Sequence, residues 1–175
     1  MERAAAPGAV REERLRRWIG LYAGAVKKTC YGCLKDWALS EDAMQETFFK
    51  AWKSMDAFER KGIENEKAWL LRIAVNVARD YRRSAWLRHE DRRHDPEEAF
   101  RNRPAPEKAD GGLAEEILRL PGKFRQPLLL YYYQGMTLEE TAAILRTTKS
   151  TVHRRLEKAR TMLRERMPGG ESDEG

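Results

Sequence analysis

The sequence predicts an all-α protein of two small helical domains joined by a flexible linker, with a helix-turn-helix in the second domain. Apolar residues recur at helical spacing over most of the chain, and no segment shows the alternation of a strand. A stretch with several prolines and glycines and no helical patterning lies near the middle of the chain. We therefore predict a first domain at 10–90, a linker at 91–112 and a second domain at 113–167.

The first domain is predicted to contain a long helix or helix pair, a second helix, a loop and a third helix. The second helix is expected to start at Ser40, because Ser is a good N-cap and Glu41 and Asp42 would follow in the first turn. Its large apolar residues recur at helical spacing and predict a core face. The loop spans 58–67, where periodicity is lost.

The third helix, 68–88, mixes aromatic and basic residues. Such a mixture suits single-stranded nucleic acid, because exposed bases stack on rings while the backbone requires positive charge. The alternative is that the rings are core and the arginines are solvated, and the pattern alone favours neither. The residues concerned are Trp69, Tyr81, Trp86, Arg72, Arg79, Arg82 and Arg88.

The second domain carries the helix-turn-helix signal. Thr137 and Glu140 are spaced as a capping box for a first helix, and Thr148 is placed to cap a second helix. The second helix has an apolar stripe at helical spacing, formed by Val152, Leu156, Ala159 and Leu163.

The other faces of that second helix are polar and basic. Between residues 146 and 166 the chain has eight Lys or Arg and two Glu. A helix with one apolar face and an opposite basic face suits the major groove of DNA, where Arg and Lys reach base edges and phosphates. The alternative is an ordinary solvated face. The candidate contacts are Ser150, Thr151, His153, Arg154, Arg155 and Lys158.

Composition limits the function classes. The formal net charge is +6, which favours a polyanionic partner. We find no catalytic constellation, no glycine-rich phosphate loop and no metal-ligand spacing, so neither enzymatic activity nor a cofactor is expected. The sequence has no apolar run long enough for a membrane span and no signal peptide. A cytoplasmic protein without direct membrane insertion is the expectation.

Cys30 and Cys33 are the only cysteines of the chain. Two sulfurs supply half of a tetrahedral zinc site, and no second pair follows. Both cysteines lie on the apolar stripe of the first helix, so they are predicted to be small buried hydrophobic residues. A thiol switch remains the minor alternative.

Several motifs occur in a specific order and spacing. They are EDAMQETFFKAW at 41–52, AWLLRIAVN at 68–76, DYRR at 80–83, Leu120-Pro121, GMTLEE at 135–140, and the pairs Thr151-Val152, Arg155-Leu156 and Ala159-Arg160. With the two helical domains and the linker, these motifs resemble the extracytoplasmic-function (group 4) sigma factors of bacterial RNA polymerase. The turn of the helix-turn-helix departs from the family at Arg146, where glycine is common.

The resemblance implies a non-enzymatic subunit that directs core RNA polymerase to a promoter. Asp42, Gln45 and Glu46 would contact the polymerase. The second domain would bind the −35 element as duplex, and the first domain would bind the −10 element on the melted non-template strand. An anti-sigma factor is a further partner expected from the family. The −10 contacts implied are Asn76, Arg79 and Arg83.

Two other functions are consistent with parts of the sequence. A stand-alone helix-turn-helix regulator would use the first domain for dimerisation or for a ligand. A thiol or metal sensor would centre on Cys30 and Cys33.

Overall fold

The structure is a computed structural model that describes residues 7–88 and 112–167. Every regular element in these two ranges is helical. The first range forms four helices: α1 (Pro7–Leu34), α2 (Trp37–Lys53), α3 (Met55–Arg60) and α4 (Glu66–Arg88). The second range forms α5 (Leu113–Arg119), α6 (Gly122–Leu128), a π-helical turn (Leu129–Tyr133), α7 (Leu138–Leu145) and α8 (Lys149–Arg166). The predicted linker lies outside the described residues except for Gly112.

The all-helical class and the helix-turn-helix are thus confirmed, and α1 is one continuous helix. The predicted start of α2 at Ser40 is wrong. Asp36 caps this helix: its backbone is extended, and its carboxylate accepts a hydrogen bond from the Leu39 amide at 2.9 Å. Ser40 lies one turn inside, where its hydroxyl donates to the carbonyl oxygen of Asp36.

The core of the first domain is built by α1, α2 and α4, which pack on one another. At its centre Trp18 is fully buried. Its ring lies 5.2 Å from that of Phe58 and 5.4 Å from that of Trp69, centroid to centroid. Trp69 and Tyr81 pack against this core, so these two rings of the third predicted helix are structural.

The second domain has a core of its own between α5, α6 and α8. Ile117, Leu120 and Leu128 pack there against the buried face of α8. The break between α5 and α6 follows from Pro121, because the residue before a proline is driven to extended conformation. Leu120 accordingly has ψ 145°.

The turn of the helix-turn-helix is closed by Arg146, which has the left-handed conformation with φ 54°. Such a conformation costs a residue with a Cβ about 1 kcal/mol. The turn therefore has ordinary geometry, although the sequence supplies arginine where glycine is free of this cost.

We expect Arg146→Gly to raise the free energy of unfolding by about 1 kcal/mol, because it removes the cost of the left-handed backbone. Urea unfolding followed by circular dichroism measures this. Arg72→Gly is the matched control, since Arg72 is exposed within α4 and glycine should there lower stability by about 1 kcal/mol. If both substitutions destabilised the protein, the backbone of Arg146 would not be strained.

The two domains also pack on each other, which the sequence did not predict. Leu130 and Met136 belong to the core cluster of the first domain, as do Ile144 and Leu145 of α7. Helix α7 packs against α4, and α6 packs against α1. In the described ranges, none of the helices combines the length and apolar character needed to cross a membrane.

Candidate nucleic-acid and partner interfaces

Both helices of the helix-turn-helix begin with the predicted caps. The Thr137 hydroxyl accepts from the Glu140 amide at 3.1 Å, and a Glu140 carboxylate oxygen accepts from the Thr137 amide at 2.9 Å. At α8 the Thr148 hydroxyl accepts from the Thr151 amide at 3.2 Å. These bonds satisfy amides that the first turn of a helix leaves without partners, and they fix where α8 begins.

The apolar stripe of α8 is buried against the rest of the second domain, as predicted. Val152 and Ala159 are fully buried and Leu156 is 2% exposed, all against the core of the second domain. Leu163 of the same stripe is half-buried against this core. The opposite faces therefore project away from the domain.

Four of the six candidate duplex contacts are exposed on α8: Ser150, His153, Arg154 and Lys158. Arg155 and Thr151 are half-buried. The Thr151 hydroxyl accepts a hydrogen bond from the Thr148 hydroxyl at 2.9 Å, so it helps to cap the helix.

A further basic group at this face was not predicted from the sequence. Lys149 is exposed at the first position of α8, and its ammonium contacts the Glu139 carboxylate of α7. The contact ties the two helices of the motif together. The only signal in the sequence was the charge of Lys149, which does not reveal the partner.

The candidate −10 residues lie on one face of α4, at spacings of three and four. Arg83 is exposed, whereas Asn76 and Arg79 are half-buried. The Oδ1 atom of Asn76 is shielded from solvent and has no hydrogen-bond partner in the described part of the chain. An unsatisfied buried acceptor is costly, so this group is placed in an unfavourable environment in the present arrangement.

The predicted loop 58–67 is shorter in the structure, because Phe58 lies in α3 and Glu66 begins α4. Asn65 caps α4 by accepting from the Ala68 amide at 2.9 Å. The same side chain donates to a Glu140 carboxylate oxygen at 2.6 Å, across the boundary between the domains. Lys67 donates to the carbonyl oxygen of Gln134 at 2.9 Å.

The candidate polymerase contacts lie on α2. Asp42 and Gln45 are exposed, and Glu46 is half-buried. Phe49 of the same helix is 52% exposed, and the Lys53 ammonium lies 4.3 Å from its ring centroid. Phe49 was not predicted from the sequence, because it follows the core residue Phe48 and two adjacent apolar residues resemble one buried patch.

Cys30 and Cys33 are buried, as predicted. Burial raises the pKa of the Cys30 thiol to about 12, and it raises the pKa of Cys33 too. Only the thiolate reacts, so these environments make both sulfurs inert. In the described ranges, no three His, Cys, Asp or Glu residues are grouped so as to hold a metal ion.

We expect both thiols to resist alkylation by iodoacetamide at pH 8 in the folded protein and to react within minutes in urea. With a pKa of about 12, Cys30 is ionised at pH 8 in about one molecule in ten thousand. Mass spectrometry of the alkylated chain measures this, with Val10→Cys as an exposed control. Rapid labelling of the native cysteines would instead support a thiol switch.

The comparisons with known proteins fit this geometry. Residues 18–88 match the family model for sigma-70 region 2, and residues 117–165 match that for sigma-70 region 4. Together these two segments cover more than half of the chain.

Individual relatives are sigma factors. The chain is 32% identical over 146 residues to the RNA polymerase sigma factor RfaY of Xanthomonas campestris pv. campestris, covering 74% of this chain and 34% of that protein. It is 30% identical to NccH of Alcaligenes xylosoxydans xylosoxydans, covering 70% of each. The ECF sigma factor SigW of Bacillus subtilis is 27% identical, over 85% of this chain and 86% of SigW.

Among solved structures, the sigma factor RpoE from Bartonella quintana, in complex with the anti-sigma factor NepR, has the same fold. Its TM-score is 0.75 at 24% identity, covering 91% of this chain and 99% of that one. The protein belongs to the sigma-70 family of RNA polymerase sigma factors, in its extracytoplasmic-function group. It is therefore a promoter-recognising transcription initiation factor whose domains bind core polymerase and promoter DNA.

Proposed function

We propose that α8 binds the −35 element in the major groove of duplex DNA. The observation that carries this is the exposure of Arg154 and Lys158 on a helix whose opposite side is buried. Ser150 and His153 share the exposed surface and suit contacts to base edges or phosphates. The cap at Thr148 would set the depth at which the helix enters the groove.

We propose that the start and one face of α4 bind the −10 element after strand separation. Arg83 and Arg79 would neutralise the backbone, and Asn76 would read an extruded base with its amide. Unpairing a base has an energetic cost, so a site that rewards one extruded base couples reading to opening. The support is the common face of these three residues and the match to region 2.

We propose that α2 binds the polymerase through Asp42, Gln45 and Glu46, with Phe49 as an apolar anchor. Exposed aromatic side chains among polar neighbours are typical of the energetically important centre of an interface. The chain itself would catalyse nothing, because RNA synthesis belongs to the polymerase. It would act in the cytoplasm, and an anti-sigma factor would regulate it, as NepR partners the Bartonella protein.

Asp42→Lys should lower the affinity for core polymerase by about tenfold or more, because it reverses a charge within the proposed interface. Fluorescence titration of the labelled chain with core polymerase measures this. Glu13→Lys is the matched control, since Glu13 is exposed on α1 and the net change in charge is the same. An equal loss in both variants would show that total charge matters and that α2 is not the contact.

A further inference from the structure

A pocket of about 230 Å³ lies beside the C-terminal part of α1. One wall is formed by α1, with Lys28 and Tyr31, and the facing wall by α5, with Ile117 and Leu118. The π-helical turn contributes Leu129. None of the residues proposed to contact DNA or polymerase lines this pocket, so the proposed function gives it no role.

The lining of the pocket is mostly apolar. Such a surface offers water few hydrogen bonds, so an apolar ligand displaces water from it at little cost. Concave, mainly apolar pockets with a few polar groups are the usual form of small-molecule sites. The π-helical turn, which brings Leu129 and Tyr133 to the pocket, is a kind of turn that occurs frequently at functional sites. These features together indicate a ligand with an apolar body.

Two polar side chains of the lining are suited to an anionic group. Lys28 is exposed and has no ion-pair partner within the described residues, whereas its neighbour Lys27 contacts the Glu41 carboxylate at 2.9 Å. Among the described residues that line the pocket, Lys28 is the only charged one. Gln134 is 9% exposed, and its Nε2 lies 3.5 Å from the carbonyl oxygen of Ala25, too far for a strong hydrogen bond. An ammonium and a weakly engaged amide therefore remain able to donate to a ligand.

The volume of the pocket limits the size of the ligand. A water molecule occupies about 30 Å³ in the liquid, and a methylene group is of similar size, so the pocket has room for about eight such groups. Pockets for drug-sized ligands are larger, at about 300–1,000 Å³. A tail of about eight carbon atoms would fill the pocket and leave a polar head group at Lys28.

We propose that this pocket binds a small carboxylate with an apolar tail, of the class of medium-chain fatty acids. The tail packs against Tyr31, Ile117 and Leu129, and the carboxylate accepts hydrogen bonds from the Lys28 ammonium and the Gln134 amide. Hydrogen bonds between charged partners are about twice as strong as neutral ones, so the head group selects for negative charge. The site is independent of the proposed DNA and polymerase surfaces, because it shares no residue with them.

Isothermal titration calorimetry of the full chain with three probes tests the ligand class. Octanoate has both tail and carboxylate, octylammonium has the same tail with the opposite charge, and acetate has the carboxylate alone. Octanoate should bind at one site with a dissociation constant of about 0.1 mM, in line with a ligand of about ten heavy atoms. Octylammonium and acetate should each bind at least about tenfold more weakly.

Two outcomes of this titration would refute the proposal. Equal affinities for octanoate and octylammonium would indicate partition into apolar surface without a site for the carboxylate. Absence of saturable octanoate binding would leave the pocket to an apolar side chain of a protein partner. Because the probes are compared on the unmodified chain, neither result depends on the folding of a variant.

Ala114→Trp tests the location of the site. Ala114 lines the pocket from α5 and is exposed, so a larger side chain there obstructs the pocket without entering a core. The affinity for octanoate should fall by about tenfold or more, because the tail loses its space. Ala143→Trp is the matched control, since Ala143 is exposed on α7 and does not line the pocket. Equal octanoate affinities in the two variants would show that octanoate binds elsewhere.

Lys28→Glu tests the head group. Octanoate should bind about tenfold or more weakly, because a carboxylate then faces a carboxylate, and octylammonium should become the tighter ligand. Lys61→Glu is the control with the same net charge, since Lys61 is exposed after α3 and does not line the pocket. Unchanged octanoate affinity in Lys28→Glu would contradict the assignment of the carboxylate to this lysine.

Discussion

Replacing Arg154 and Lys158 together with alanine should lower the affinity for a duplex −35 fragment by about a hundredfold. Each side chain that contacts a base or phosphate contributes about 1–3 kcal/mol. Both are exposed on α8, and their removal leaves the buried face of the helix intact. The slope of log affinity against log salt should also decrease by about two, because two phosphate neutralisations are lost. Fluorescence anisotropy at several salt concentrations measures both quantities.

The control removes two positive charges elsewhere. Lys28 and Arg72 are exposed on the first domain, so their double alanine variant has the same net charge. It should bind the −35 duplex with nearly the affinity of the parent. An unchanged salt slope in the α8 variant, or equal losses in both, would contradict the assignment of α8 to the DNA.

Trp18→Ala should lower the free energy of unfolding by about 3–5 kcal/mol, the range for deletion of a large buried aromatic side chain. Trp18 is fully buried and contacts the rings of both Phe58 and Trp69. Its loss would leave a cavity between α1, α3 and α4. Because the free energy of unfolding of such domains is about 5–15 kcal/mol, the substitution would remove much of it. Urea unfolding followed by circular dichroism measures the change.

Trp37→Ala is the matched control for that experiment. Trp37 is 56% exposed at the start of α2, so its removal should cost less than about 1 kcal/mol. Equal costs at the two positions would show that the aromatic cluster around Trp18 does not stabilise the first domain.

Local chemistry explains which features were predictable from sequence. Thr137 and Thr148 cap their helices as predicted, because a cap depends on residues within one turn. The buried stripe of α8 was also predictable, since helical spacing alone assigns it. The predicted cap at Ser40 was wrong because Asp36, four residues earlier, is the N-cap of the helix. Ser and Asp are about equally favoured as N-cap residues, so the residue types alone do not choose between them.

Contacts between the domains were not predictable, because they depend on tertiary geometry. Helix α7 is buried on two sides: Ala142 faces the core of the second domain, whereas Ile144 and Leu145 join that of the first. Helical spacing alone does not indicate that the apolar residues of one helix divide between two cores. Arg125 is a charged residue in an apolar segment, and no local pattern indicates that it reaches Gly32.

Helix α7 therefore has two roles. It supports α8 through its turn and through the contact of Glu139 with Lys149. It also packs on α4, beside the proposed −10 surface, through the bond from Asn65 to Glu140. The contact between the domains and the placement of α8 consequently depend on one element.

Transcription with core RNA polymerase on a library of promoter fragments, followed by sequencing of the transcript starts, tests the central claim most directly. With this protein added, we expect discrete starts that core polymerase alone does not produce. Each should be preceded by two sequence elements at constant spacing, and the upstream element should lose its effect when Arg154 and Lys158 are replaced. A start pattern identical to that of core polymerase alone would contradict the account.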